Sequence, residues 1–176
     1  MIVTEEFIWR KDHYVCHLTE ESNMESIIEK GLLPSNGKRC QSVKDERVGV
    51  FCFDGLHHAK DWAEILYDKS ELETLKILRF NLKNRKWHID NSNAFVLGMY
   101  LPYKVLPERL SYLCITNNDG EEIPITKFFD LNFVYDFMKQ VDYSFYGLEN
   151  GKQISVDDCN LGWYPIHEYK NKVKKL

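Results

Sequence analysis

A histidine and a threonine bracket a single leucine in His17-Leu18-Thr19. The stretch Tyr14 to Leu18 reads as a short strand, so alternation puts His17 and Thr19 on one face and Leu18 on the other. Imidazole and hydroxyl groups both donate and accept hydrogen bonds, which suits this pair to ribose hydroxyls. A satisfied polar pair at a strand end fits the same residues. Further along, Phe51, Phe53 and Trp62 stand at a strand–helix corner. Rings so placed can face each other across a cleft and hold a flat heteroaromatic group. Each good aromatic contact adds about 0.5–1.5 kcal/mol beyond area burial. Plain core packing explains the same three rings.

Other chemistry lacks its residues. Adjacent helical positions point about 100° apart, so His57 and His58 do not share one ion easily, and no carboxylate or histidine completes a zinc signature. The five cysteines, Cys16, Cys40, Cys52, Cys114 and Cys159, form no C-x-x-C pair. They are expected to be reduced and largely buried, as in a cytoplasmic protein, and no metal is expected. No nucleophile elbow and no glycine-rich phosphate loop is present. The net charge of −4 over 176 residues gives no global basic footprint, so nucleic acid is not an expected partner. The basic end, Lys170 to Lys175, reads as a solvated tail. Met1 to Lys11 holds no long apolar run, so neither a leader nor a membrane span is expected.

These residues need elements to hold them. Thr19 to Lys30 reads as a helix with Met24, Ile27 and Ile28 on one face, capped by Ser22 or Asn23 and stopped by Gly31 and Pro34. Ser35 to Arg47 is a polar loop, long for a compact domain. Val48 to Phe53 is a buried strand, and Asp54-Gly55 opens a helix from Leu56 to Tyr67 whose inner stripe is Leu56, Ala59, Trp62, Ala63 and Leu66. Leu75 to Leu82, Phe95 to Leu106 and Leu110 to Thr116 supply further strands. Pro102 suggests an edge or bulge, and Asn117 to Gly120 a turn. Aromatics at helical spacing from Phe128 to Phe145 predict a helix. The order of elements points to an α+β fold. The expected division is a domain at 1–127 with a helical extension, 128–176, packed on it.

Together the motifs resemble the ADP-ribosyltransferase fold of the diphtheria-toxin and poly-ADP-ribose-polymerase type, in its bacterial members. His17-Leu18-Thr19 stands where that family opens with histidine, a small residue and serine or threonine. Gly31-Leu32-Leu33-Pro34 is similar to a segment that follows. Gly49-Val50-Phe51-Cys52-Phe53-Asp54 resembles the next strand, and Trp62 falls where the family places a ring on nicotinamide. Ala59 replaces a family serine. Met99-Tyr100-Leu101-Pro102-Tyr103 and Val105-Leu106-Pro107-Glu108 match the last piece by spacing, with Met99 on the catalytic glutamate. The resemblance covers about residues 14 to 115.

The resemblance implies a split, mixed β core flanked by helices. It implies that His17, Leu18, Thr19, Phe51, Phe53 and Trp62 bind NAD or an ADP-ribose-type dinucleotide. The catalytic positions it implies are His17 and Met99, with a protein as a further target. In the family the glutamate stabilises an oxocarbenium-like transition state, an electrostatic role that a thioether cannot fill. Transfer or hydrolysis is therefore expected to be weak or modified. Two alternatives stay open: a catalytically silent interaction module of the same fold, and an RNA 2′-phosphotransferase-like enzyme with Arg39 and Arg47 on phosphate.

Overall fold

The computed structural model describes residues 6–35, 48–90, 98–128, 145–156 and 158–173. Among the described residues nine strands form two sheets, with short helices around them, which is an α+β fold. The strands are β1 (Glu6–Ile8), β2 (Tyr14–Glu20), β3 (Val50–Cys52), β4 (Leu75–Asn81), β5 (Lys86–Asp90), β6 (Gly98–Leu101), β7 (Ser111–Asn117), β8 (Gln153–Val156) and β9 (Cys159–Pro165). The helices are α1 (Met24–Lys30), α2 (Leu56–Leu66), α3 (Lys69–Leu72), α4 (Ile125–Phe128) and α5 (Ile166–Val173).

The first sheet runs β1-β5-β6-β3 and the second β2-β4-β7-β9-β8. Among the described residues every ladder is antiparallel, where a mixed core was expected, and the parallel contact between Trp9 and Lys83 is an isolated bridge. Antiparallel partners need only short connections, whereas a parallel pair needs a crossover of a dozen residues or more.

The edge strands β2 and β3 touch at one point. Cys16 in β2 and Phe53, just past β3, exchange two backbone hydrogen bonds of 2.9 and 2.8 Å. There the strands touch, and beyond Phe53 toward the start of β3 they part.

Alternation along each strand then sorts the side chains into two cores. The core shared by both sheets takes Val15, Leu78, Phe80 and Tyr112 from the second sheet and Val50, Cys52, Met99 and Leu101 from the first. Met24 and Ile27 of α1 and Ile166 of α5 close it. The other core lies on the opposite face of the second sheet, where Cys16, Leu18, Ile77, Leu113 and Trp163 meet Leu56, Ala59, Trp62 and Ala63 of α2. That helical stripe is the one its spacing predicts.

Several boundaries differ from expectation. β2 carries through Thr19 and Glu20, and α1 begins only at Met24 after one 3-10 turn, Glu21–Asn23. No side chain caps α1. The N-cap of α2 is Gly55, at φ 127°, and the amide of Leu56 is held by the Tyr146 hydroxyl. Asp54 is drawn off instead to His13, 2.9 Å away. β6 is an inner strand that ends before Pro102, so the proline meets no ladder.

The expected helical extension is only partly helical. Residues 153–165 form β8 and β9, and β9 pairs with β7 over its full length. Gly162, which reads as a breaker, lies inside β9, because a Cβ there would stand 2.8 Å from the Lys152 carbonyl oxygen. The helix expected at Phe128 to Phe145 falls at residues 129–144, outside the described residues.

Candidate functional site

The parting of β2 and β3 is where the sequence places its first chemistry. β3 is an edge strand, and past Phe53 the outward carbonyl of Phe51 faces β2 without a ladder, while that of Gly49 accepts from the Ser35 amide at 3.1 Å. The His17 imidazole spans that gap, with Nδ1 2.6 Å from the Phe51 carbonyl oxygen. A carbonyl only accepts, so Nδ1 carries the proton and Nε2 keeps a lone pair. Burial lowers the His17 pKa from 6.5, and the bond to Phe51 offsets only part of that. His17 is therefore a neutral imidazole of fixed tautomer, half-buried at the mouth of the split.

Leu18 adds main-chain groups to the same place. In an antiparallel strand, residues two apart turn their N–H and C=O to the same edge. Cys16 turns its pair outward to Phe53, so Leu18 turns its own pair outward beside His17. Among the described residues these two groups have no hydrogen-bond partner. Thr19 is buried, and its hydroxyl accepts from Asn23 Nδ2 at 3.4 Å and donates to the Glu20 carbonyl at 3.5 Å.

The aromatic residues divide. Phe51 is half-buried on the outer face of the first sheet, with its ring 5.9 Å from that of Tyr100. Phe53 and Trp62 sit 6.2 Å apart at 34°, each 6 % exposed and packed into the core against α2. The side chain of Leu18 lies in that core too. So the structure brings His17, the Leu18 backbone and Phe51 together, and it places Phe53 and Trp62 in packing around them. The Trp62 indole N–H is buried with no partner among the described residues.

Met99 is 1 % exposed and belongs to the core shared by the sheets. Its cross-strand partners are Cys52 and Ile89. The residues of β6 on the Phe51 face are Gly98 and Tyr100. Neither nearby acid takes the place of a glutamate. Glu64 is exposed and pairs with Lys60 at 3.0 Å. Glu108 is exposed on a 3-10 turn and lines a separate cleft of about 910 Å3 with Glu29, Lys30, Lys104, Leu106 and His167. Charges of both signs, all in reach of water, line that cleft, and it includes none of His17, Leu18, Thr19, Phe51, Phe53, Trp62 and Met99. Arg39 and Arg47 lie outside the described residues.

Cys16, Cys52, Cys114 and Cys159 are free and buried. Among the described residues no group of three metal-ligating side chains occurs, and no helix is long and apolar enough to cross a membrane. No family model matches the chain, and neither a curated protein nor a solved structure matches it.

Sequence reasoning missed His88. It stacks on Tyr100 in the same row as Phe51, and the run Lys86 to Asp90 that carries it was not read as a strand. The signal was there in Trp87 and Ile89, apolar residues that alternate about a polar one.

Two consequences can be measured. Because the folded pKa of His17 lies below its unfolded value, the unfolded chain binds the extra proton, and stability falls as pH drops below about 6.5. Urea midpoints at pH 7.5 and 5.5 should therefore fall more for the native chain than for His17→Asn. An equal or smaller fall contradicts the buried neutral imidazole. Second, Met99→Glu puts a carboxylate without a partner into the shared core. It should cost about 3 kcal/mol or more at pH 7. The deficit should shrink toward pH 5, because burial raises the carboxyl pKa and the acid is then neutral. An unchanged urea midpoint would mean that position 99 reaches water.

Proposed function

We propose that the chain is an ADP-ribosyltransferase-like protein that binds NAD or an ADP-ribose-type ligand in the split between β2 and β3, with weak or modified transfer or hydrolysis chemistry. The observation that carries this reading is the His17 bond to the Phe51 carbonyl beside the outward main-chain pair of Leu18. Four groups there suit such a ligand. The N–H and C=O of Leu18 match the acceptor and donor of a carboxamide, one hydrogen bond each. Nε2 of His17 accepts from a ribose hydroxyl. The Phe51 ring gives a flat ligand ring a face to lie against. The motif order of His17-Leu18-Thr19, Gly49 to Asp54 and Trp62 supports the same reading by resemblance. A reducing cytoplasm as the place of action is part of it, supported by four buried free thiols.

A second reading, a silent binding module of the same fold, is favoured by Met99. The position that resemblance assigns to the glutamate holds an apolar side chain that faces the core. A removed charge-stabilising group typically costs about 10²–10³ in turnover. Binding without appreciable cleavage fits both readings, and release of nicotinamide separates them.

Isothermal titration tests the site. NAD or ADP-ribose should bind the native chain, and His17→Ala should weaken binding about tenfold, about 1.4 kcal/mol. The ligand should also raise the melting temperature of the native chain. If saturating NAD, nicotinamide and ADP-ribose all give no heat and no shift, the split is not a dinucleotide site.

A further inference from the structure

The chain passes from the second sheet to the first through the turn that joins β4 to β5, and basic side chains gather on it. Lys83 and Arg85 lie in the turn, Lys86 opens β5, and all three are exposed. Contacts from three other segments hold the turn. The Asn84 amide donates to the Trp9 carbonyl at 2.7 Å, with Asn84 itself in the left-handed region at φ 59°. The Tyr103 hydroxyl donates to the Lys86 carbonyl at 2.6 Å. Arg109 reaches in from the 3-10 turn before β7, its Nη2 donating to the Asn81 carbonyl at 2.5 Å.

Arg85 and Arg109 thus bring two like charges to one turn. Burial, and then the charge of Arg85, hold the Arg109 pKa below its ordinary value. Burial raises the Tyr103 pKa to about 12, while Arg85 and Arg109 both pull it the other way, so the phenol feels both cations. Among the described residues neither arginine has an ion pair, and the Arg85 side chain makes no hydrogen bond. The acids of this region are engaged elsewhere. Glu6 pairs with Lys86 at 3.2 Å, Asp12 accepts from Asn81 Nδ2 at 2.9 Å, and Glu108 lines the charged cleft. The amides of the turn are taken too: that of Lys83 by Asn81 Oδ1, that of Asn84 by Trp9 and that of Arg85 by Leu82. Two cations held together without a counter-charge repel, and an anion between them removes that cost.

We propose that Arg85 and Arg109 form a site for a phosphate monoester at the β4–β5 turn. Such a group carries about −1.5 to −2 charge at neutral pH, which matches two cations, whereas a carboxylate matches one. Its oxygens accept from planar guanidinium forks, the geometry in which arginine surpasses lysine. Arg109 is the anchored member, fixed by its bond to Asn81, and Arg85 is the exposed one. Lys83 and Lys104, both exposed, add to the field that draws an anion in. None of these residues lines the split, so the proposal stands apart from the dinucleotide reading. A small phosphate ester and a phosphorylated side chain of a partner protein present the same dianion.

Titration with ribose 5-phosphate at fixed ionic strength, followed by the arginine Nε–H resonances, tests the site. In the native chain the Arg85 and Arg109 signals should move and saturate. Arg85→Gln should weaken binding about fivefold or more, the loss of one charge-assisted contact. It removes one of two like charges from an exposed position, so the melting temperature of the free chain should stay level or rise. Arg85→Lys keeps the charge without the fork and should fall between. Lys127→Gln, an exposed cation lost from α4, should bind as the native chain does. A phosphoserine peptide titrated alongside separates the sources: tighter binding than the sugar phosphate assigns the site to a protein partner, and equal or weaker binding to a small ester. Signals that move as far with chloride as with ribose 5-phosphate would overturn the proposal. So would native affinity in Arg85→Gln, or an equal loss in Arg85→Gln and Lys127→Gln, which marks a diffuse field.

Discussion

Two hydrogen bonds between Cys16 and Phe53 govern the layout of the molecule. They tie β2, at the edge of one sheet, to β3, at the edge of the other, through one residue pair, so these two strands are free to diverge beyond it. Without the tie, β3 and β2 have no shared reference, and the imidazole of His17 has nothing to span. With it, the first carbonyl past the contact comes within 2.6 Å of His17 Nδ1. A continuous ladder would have paired that carbonyl with backbone and closed the gap. The candidate site is thus a consequence of incomplete pairing, and what fills the gap is polar and chemically competent.

A second constraint holds the second sheet in shape. Arg79 in β4 is 4 % exposed and lies between the rings of Tyr14 and Trp163, 4.9 Å from each. It donates to the carbonyls of Tyr146 and Leu148 and to Asn150 Oδ1. Burial pulls its pKa down to about 10, the charges on Tyr14 and Cys16 countering only in part, so the guanidinium is still charged at neutral pH. The segment it grips supplies the Tyr146 hydroxyl that holds the first amide of α2. In this way a buried cation in one sheet sets the start of the helix whose Trp62 packs on Phe53. Removing the arginine would orphan two carbonyls inside the fold, the costly way to lose a hydrogen bond.

Much of this was legible in the chain. The stripe of α2 and the Gly31 stop follow from periodicity and local conformation, and each lies where its residues require; the run Val48 to Phe53 holds a strand only at Val50–Cys52, with Val48 59 % exposed. The His17–Phe51 neighbourhood was legible only through the order of motifs, because nothing in either segment specifies that two strands should touch at one pair. Which face a residue takes proved harder. Met99 was placed by spacing, and spacing is blind to a slip of one residue, which in a strand reverses the face. β8 and β9 were hidden for a different reason. Gly162 carries the composition of a turn, but it is required inside a strand because the Lys152 backbone comes too close for a side chain.

The account stands on the claim that the split between β2 and β3 is where a dinucleotide ligand sits. Amide chemical-shift mapping with ADP-ribose tests it most directly, since the Leu18 N–H is assigned a donor role that no side-chain substitution removes. On titration the Leu18 amide should move most, with those of His17, Thr19 and Phe51 close behind, and amides along α5 should stay put. Shifts centred instead on Lys30, Lys104 and His167 would move the site to the charged cleft and contradict the account.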